Sequence, residues 1–155
     1  MNDDHIIAIA AVISAVFAFA TLINTIVIQR KTAAENKKNN TISAYNRLQD
    51  KVLDYMAKYP KEQVEILVDD RDYEPEIKEA YDACRTLIAR CEHFAVGVNT
   101  GVYDIDLVDD LGGKHLIYLY QKVLPIIDEA RSYDEDAYKE FEKMVTALAK
   151  LRDLK

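Results

Sequence analysis

"CEHFAVGVNTGVYDIDLVDDLGG", residues 91–113, gathers a cysteine, a histidine, four aspartates and all four glycines of a 155-residue chain. Residues of these types converge at metal and catalytic centres. They serve equally to end one helix, turn the chain and begin another, and the choice between the two decides the fold.

Helix geometry separates them. Ile77, Ala80, Tyr81, Cys84, Leu87, Ile88, Cys91, Phe94, Ala95 and Val98 recur at a 3.6-residue period, so the stretch opens inside a helix whose apolar face holds both cysteines. Cys84 and Cys91 are separated by ~10.5 Å along such a helix, beyond the ~7 Å that a disulfide tolerates. His93 is rotated by ~200° from Cys91 and points away from it. His5 and His115 supply no spaced pair, so no tetrahedral zinc set assembles. The aspartates do not form a calcium loop either. Counted from Asp104, the fifth, sixth and twelfth positions are Val108, Asp109 and His115, where an EF-hand needs an oxygen ligand, a glycine and a glutamate. The chain also lacks G-x-S-x-G, an oriented Cys–His pair and a Gly-rich phosphate loop. The expectation is therefore no metal, no cofactor and no catalytic residue. The remaining enzymatic reading is a carboxylate pair such as Glu92 with Asp109 or Asp110.

Read as structure, the stretch is a corner. Gly101 suits the left-handed position that closes a helix. Asp104 is placed to cap a short helix from about Asp106 to Leu111, whose aspartates face solvent. Gly112 and Gly113 form a second break, and Gly97, inside the first helix, lets a neighbour pack closely.

Working outward, Pro75 suits a first helical turn. Before it, Ile42, Tyr45, Leu48, Val52, Tyr55 and Met56 mark a helix that ends near Tyr59, ahead of Pro60. Residues 61–70 read as a short helix or an isolated strand, with their glutamates and the all-helical context favouring the helix. After the glycines, a helix from Lys114 to Arg131 buries Leu116, Leu119, Tyr120, Val123, Leu124 and Ile127, and Pro125 is expected to kink or split it. A last helix is expected from an Asp134 cap, with Glu135 and Asp136 in its first turn and Tyr138, Phe141, Val145, Leu148 and Leu151 or Arg152 on its inner face. The fold class is all-α, with about four main helices bundled over residues 42–155. Four glycines and three prolines suit it.

The charge distribution places this bundle. Overall the chain carries 20 Lys and Arg against 27 Asp and Glu. From residue 39 onward 16 basic residues face 24 acidic ones, so the body lacks the clustered cations that nucleic acid requires. Residues 6–28, "IIAIAAVISAVFAFATLINTIVI", hold no charge over 23 positions, ~35 Å as a helix against a ~30 Å hydrocarbon core. Asp3 and Asp4 precede the stretch, unlike the positive flank of a cleaved signal peptide. The expected organisation is a short outer tail (1–5), a transmembrane helix (6–28) anchored by residues such as Ile6, Phe17, Phe19 and Ile28, a basic neck (29–41) and the helical body (42–155). Arg30, Lys31, Lys37 and Lys38 set the topology by remaining on the cytoplasmic side. The chain then sits in the cell inner membrane, N-terminus outside and body in the cytoplasm. Ala8, Ala11, Ala15 and Ala18 share one face, and Ala10, Ser14 and Ala18 form another row; either offers a homo-oligomer seam. Asn24 falls near the cytoplasmic interface.

The runs "LIARCEHFAVGVNTGVYDIDLVDDLGG" and "YQKVLPIIDEAR" resemble the bacterial and phage family called "domain of unknown function 4760". The resemblance rests on Glu92, Ala95, Val98, Gly101, Asp106, Leu107, Pro125, Ile126, Ile127 and Arg131, spans residues 42–152, and extends to the N-terminal anchor in layout. It implies a membrane-anchored helical domain and no particular activity. The leading functional expectation is a single-pass scaffold that binds an unidentified protein partner or self-associates. The alternative is an oligomerising membrane effector in bacterial stress or phage conflict.

Overall fold

The computed structural model of the chain describes residues 3–58 and 75–153, and the side chains of all of these except residues 3–12 and 15. It comprises α1 (Asp3–Lys58), α2 (Pro75–Asn99), α3 (Ile105–Arg131) and α4 (Lys139–Asp153). Among the described residues there is no strand. The short helix expected over residues 61–70 lies outside the described residues. Two compact units divide the chain, Met1–Asn36 and Lys37–Lys155, and α1 contributes residues to both.

In the first unit α1 leaves large apolar side chains uncovered. Ile13, Val16, Phe17, Phe19, Leu22, Ile23, Ile26, Val27 and Ile28 are all exposed. At 100° per residue they occupy about two thirds of the helix circumference. The remaining stripe is Ser14, Ala18, Thr21 and Thr25. There the Thr21 hydroxyl donates to the Phe17 carbonyl and the Thr25 hydroxyl to the Thr21 carbonyl, each at 2.8 Å. Of the anchor residues Ile6, and of the first alanine seam Ala8, Ala11 and Ala15, lie outside the described side chains. Among the described residues no helix is long and apolar enough to cross a membrane. The basic neck is helical throughout, with Arg30, Lys31 and Lys38 exposed and Lys37 half-buried.

The second unit has one core. Tyr45, Leu48, Val52 and Tyr55 of α1 meet the stripe from Ala80 to Val98 of α2. Val108, Leu116, Leu119, Tyr120, Val123, Ile126 and Ile127 of α3 and Phe141, Met144, Val145 and Leu148 of α4 complete it. Most of each stripe expected from periodicity is buried, while Ile42, Met56, Ile77, Leu124, Tyr138 and Leu151 are half-buried and Arg152 is exposed. Aromatic pairs knit the layers. Phe94 stacks on Tyr103 at 5.2 Å between ring centroids, and Tyr120 meets Phe141 edge-on at 5.3 Å.

Three local expectations are corrected. Pro125 neither ends nor splits α3; the non-helical residue is Gly112, at φ 152° and ψ 36°. Proline deprives the carbonyl four residues back of its donor. Here that residue, Gln121, is exposed, so no buried carbonyl is left wanting. The second break therefore needs Gly112 alone, while Gly113 continues the helix. The last helix begins at Lys139 rather than after Asp134, because Tyr138 adopts a left-handed φ of 58°. Asp134 instead organises a turn, its carboxylate accepting from Asp136 N at 3.1 Å and its carbonyl from Ala137 N at 3.0 Å.

Candidate functional site

The corner at residues 91–113 is built as helix end, turn and helix start. Cys84 and Cys91 are free thiols fully enclosed in the core. Burial pushes the Cys84 thiol up from 9.0 to about 11, against the opposing pull of Tyr55 and Lys122. Burial raises Cys91 as well, with Cys84 adding to it. Neither is a reactive thiolate at neutral pH. His93 is exposed on the other side of α2, as the 200° rotation requires. A methyl group on Gly97 would meet the ring of Tyr103, so this glycine is where the α2–α3 turn folds back on the helix. Gly101 closes α2 at φ 78°. Asp104 caps α3, accepting from Asp106 N at 3.1 Å and Leu107 N at 3.3 Å. The turn is also tied to α1, where the buried Thr41 hydroxyl accepts from Asp104 N at 2.9 Å.

Two of the signature residues, Glu92 and Arg131, meet the start of α4. Glu92 of α2 accepts from Glu140 N at 3.1 Å and Phe141 N at 2.7 Å, satisfying two of the donors that every helix leaves unpaired at its beginning. Asn99, seven positions on and therefore on the same face of α2, donates to the Glu140 carbonyl at 2.9 Å and to its carboxylate at 2.8 Å. Arg131, the last residue of α3, spans the turn from the other side. Its Nε donates to the Ala137 carbonyl at 3.1 Å, and its Nη2 pairs with Glu142 at 2.7 Å. Ala95 is buried among these contacts' supporting side chains, Asp106 is exposed, and Pro125 is half-buried within α3. The tyrosine that precedes α4 has no carboxylate to cap it, and Glu92 supplies one from another helix.

Asp109 corrects the expectation of a solvated acidic face. It is 4% exposed, and its carboxylate pairs with Arg152 Nε at 2.6 Å near the end of α4. Residues 140 and 152 stand ~18 Å apart along α4, so Glu92 and Asp109 serve opposite ends of that helix and form no acid–base pair. Among the described residues no cluster of three or more His, Cys, Asp or Glu is placed to hold a metal. Lys122, expected on no core face, is 3% exposed. Its ammonium donates to the Met56 carbonyl in the last turn of α1 at 3.4 Å and lies 5.5 Å from the Tyr55 ring centre.

A concavity lies between α1 and α2 in the second unit. A groove of about 610 Å³ has a wall of Ala44, Leu48, Ala89, Phe94 and Tyr103 and polar groups from Arg47, Thr86, Arg90 and His93. A neighbouring depression of about 350 Å³ shares Thr86 and Arg90 and adds Lys51, Asp54 and Lys58. Basic groups thus gather along one seam of a predominantly acidic body. Residues 44–58 supply one bank at helical spacing, and the face of α2 opposite its cysteines supplies the other. Sequence periodicity marks both faces as polar. It does not say that they face each other.

The fold and this corner define the chain as an all-α protein whose signature stabilises a helix junction. A protein-family model described as "Domain of unknown function (DUF4760)" matches residues 5–148, and the chain belongs to that family. The match takes in the uncharged N-terminal stretch as well as the bundle. No match is found among curated proteins or among solved structures.

Proposed function

We propose that the protein is a single-pass inner-membrane protein that tethers a helical binding module on the cytoplasmic face. The observation that carries this reading is the run of uncovered apolar side chains from Ile13 to Ile28, inside a 23-residue uncharged stretch and directly before Arg30 and Lys31. A helix apolar over most of its surface needs lipid or protein around it. The lysines and arginines orient it. The bundle is stabilised by its own core and ion pairs, and its corner residues are engaged in holding α4. A binding role is therefore better supported than a catalytic one. Tethering confines the module to two dimensions and raises its effective concentration toward other membrane-bound molecules, including its own copies. The stripe of Ser14, Ala18, Thr21 and Thr25 allows close approach between such copies.

Topology tests the proposal. Asn2→Cys in the full chain should react with a membrane-impermeant maleimide in intact spheroplasts, while the buried native thiols stay silent. Protection of Asn2→Cys until the membrane is opened would contradict it. Cross-linking in native membranes should capture a dimer or a hetero-complex, and monomer alone at every expression level would remove the interaction role.

A further inference from the structure

We infer that the α1–α2 groove is a binding site for a small phosphate-bearing ligand, with Arg47 and Arg90 holding the phosphate and the wall formed by Ala44, Ala89 and Tyr103 receiving an apolar or planar body. The cations carry the argument. In the second unit Arg131 pairs with Glu142, Lys139 with Asp136, Lys143 with Glu140 and Arg152 with Asp109. Arg47 and Arg90 are exposed and make no ion pair among the described residues, although 24 acidic side chains are available from residue 39 onward. They come from different helices and both line a concavity of about 610 Å³, within the ~300–1,000 Å³ range of small-molecule sites. The guanidinium's planar fork suits phosphate oxygens, and its face stacks on planar groups. His93 adds a polar ring at the same rim, where the Thr86 hydroxyl donates to the Asp82 carbonyl at 2.9 Å. The Phe94–Tyr103 stack keeps the inner wall rigid, since Tyr103 is locked over Gly97. The groove lies wholly within the Lys37–Lys155 unit, so this inference stands apart from the membrane reading.

Such a phosphate comes either from a soluble nucleotide or from a lipid headgroup. Calorimetric titration of the full chain in dodecyl maltoside, with ATP in one arm and phosphatidylglycerol bearing six-carbon chains in the other, distinguishes these sources. Saturable binding in at least one arm is expected, weakened about tenfold by Arg47→Gln and by Arg90→Gln. It should be unaffected by Lys114→Gln, which alters an exposed lysine outside the groove. Circular dichroism melts identify variants that remain folded, and the exposure of both arginines predicts unchanged melting. No saturable binding of either probe overturns the inference. Binding that both arginine substitutions leave intact overturns it equally.

Discussion

Single residues at the corner divide by what a substitution would meet. At Gly101 an added methyl finds nothing within 4 Å, so Gly101→Ala should cost only the left-handed strain, about 1 kcal/mol. At Gly97 the methyl runs into the Tyr103 ring. Gly97→Ala should therefore cost about 1–3 kcal/mol, with much of it recovered in the Gly97→Ala, Tyr103→Leu double variant. Urea unfolding of the four proteins reads both effects, and additive losses would contradict the contact. The thiols make a pH prediction. Burial raises Cys84 to about 11 from 9.0, so the folded chain binds more protons than the unfolded one across that interval. Its stabilising contribution is complete below about pH 9 and is lost as the pH rises toward 11. Cys91 acts in the same direction, as do Tyr45 and Tyr120, whose phenols burial also raises. Thermal midpoints should fall between pH 8 and 11, and a flat profile would contradict the burial. The cysteines' inward orientation was legible from spacing alone. The burial of Asp109 was not, because an aspartate on a short helix looks solvated until its partner, 43 positions later, is known.

Helix junctions carry the family's signature residues. Glu92 and Arg131 fasten the start of α4 from two sides. Glu92→Ala should destabilise the full chain by about 2 kcal/mol, because a carboxylate accepting two backbone donors is lost, while Glu92→Gln retains one acceptor and costs less. Arg131→Lys should fail to restore the junction, since a single ammonium does not reproduce a fork that reaches both Ala137 and Glu142. The loss is about 1 kcal/mol, because Glu142 is about half exposed and partly screened. Chemical denaturation monitored at 222 nm checks all three variants. The helices themselves were legible from apolar periodicity, and the α2 boundary followed from Pro75 and Gly101. The start of α4 was not, for a physical reason. Asp134, Glu135 and Asp136 look like a helix opening, yet Tyr138 takes a positive φ and the real cap arrives from Glu92, 48 residues earlier. Local composition records a local cap and carries no mark of one delivered by tertiary contact.

At the scale of the whole molecule, two units answer to different surroundings. The Lys37–Lys155 unit encloses most of its large apolar side chains, whereas Ile13 and Val16 to Ile28 of the other leave theirs open. The all-α class and the family were readable from the sequence, since both rest on period and local motif. The basic groove was not, because Arg47 and Arg90 lie 43 positions apart and only helix pairing brings them together. The membrane reading rests on the opposite kind of signal, an uninterrupted uncharged run over residues 6–28. Alkaline carbonate extraction of membranes containing the full chain tests it most directly. An integral anchor keeps the protein in the pelleted membrane at pH 11, even though the bundle is weakened there. Release of the chain into the supernatant, with a known single-pass control retained in the pellet, would contradict the account.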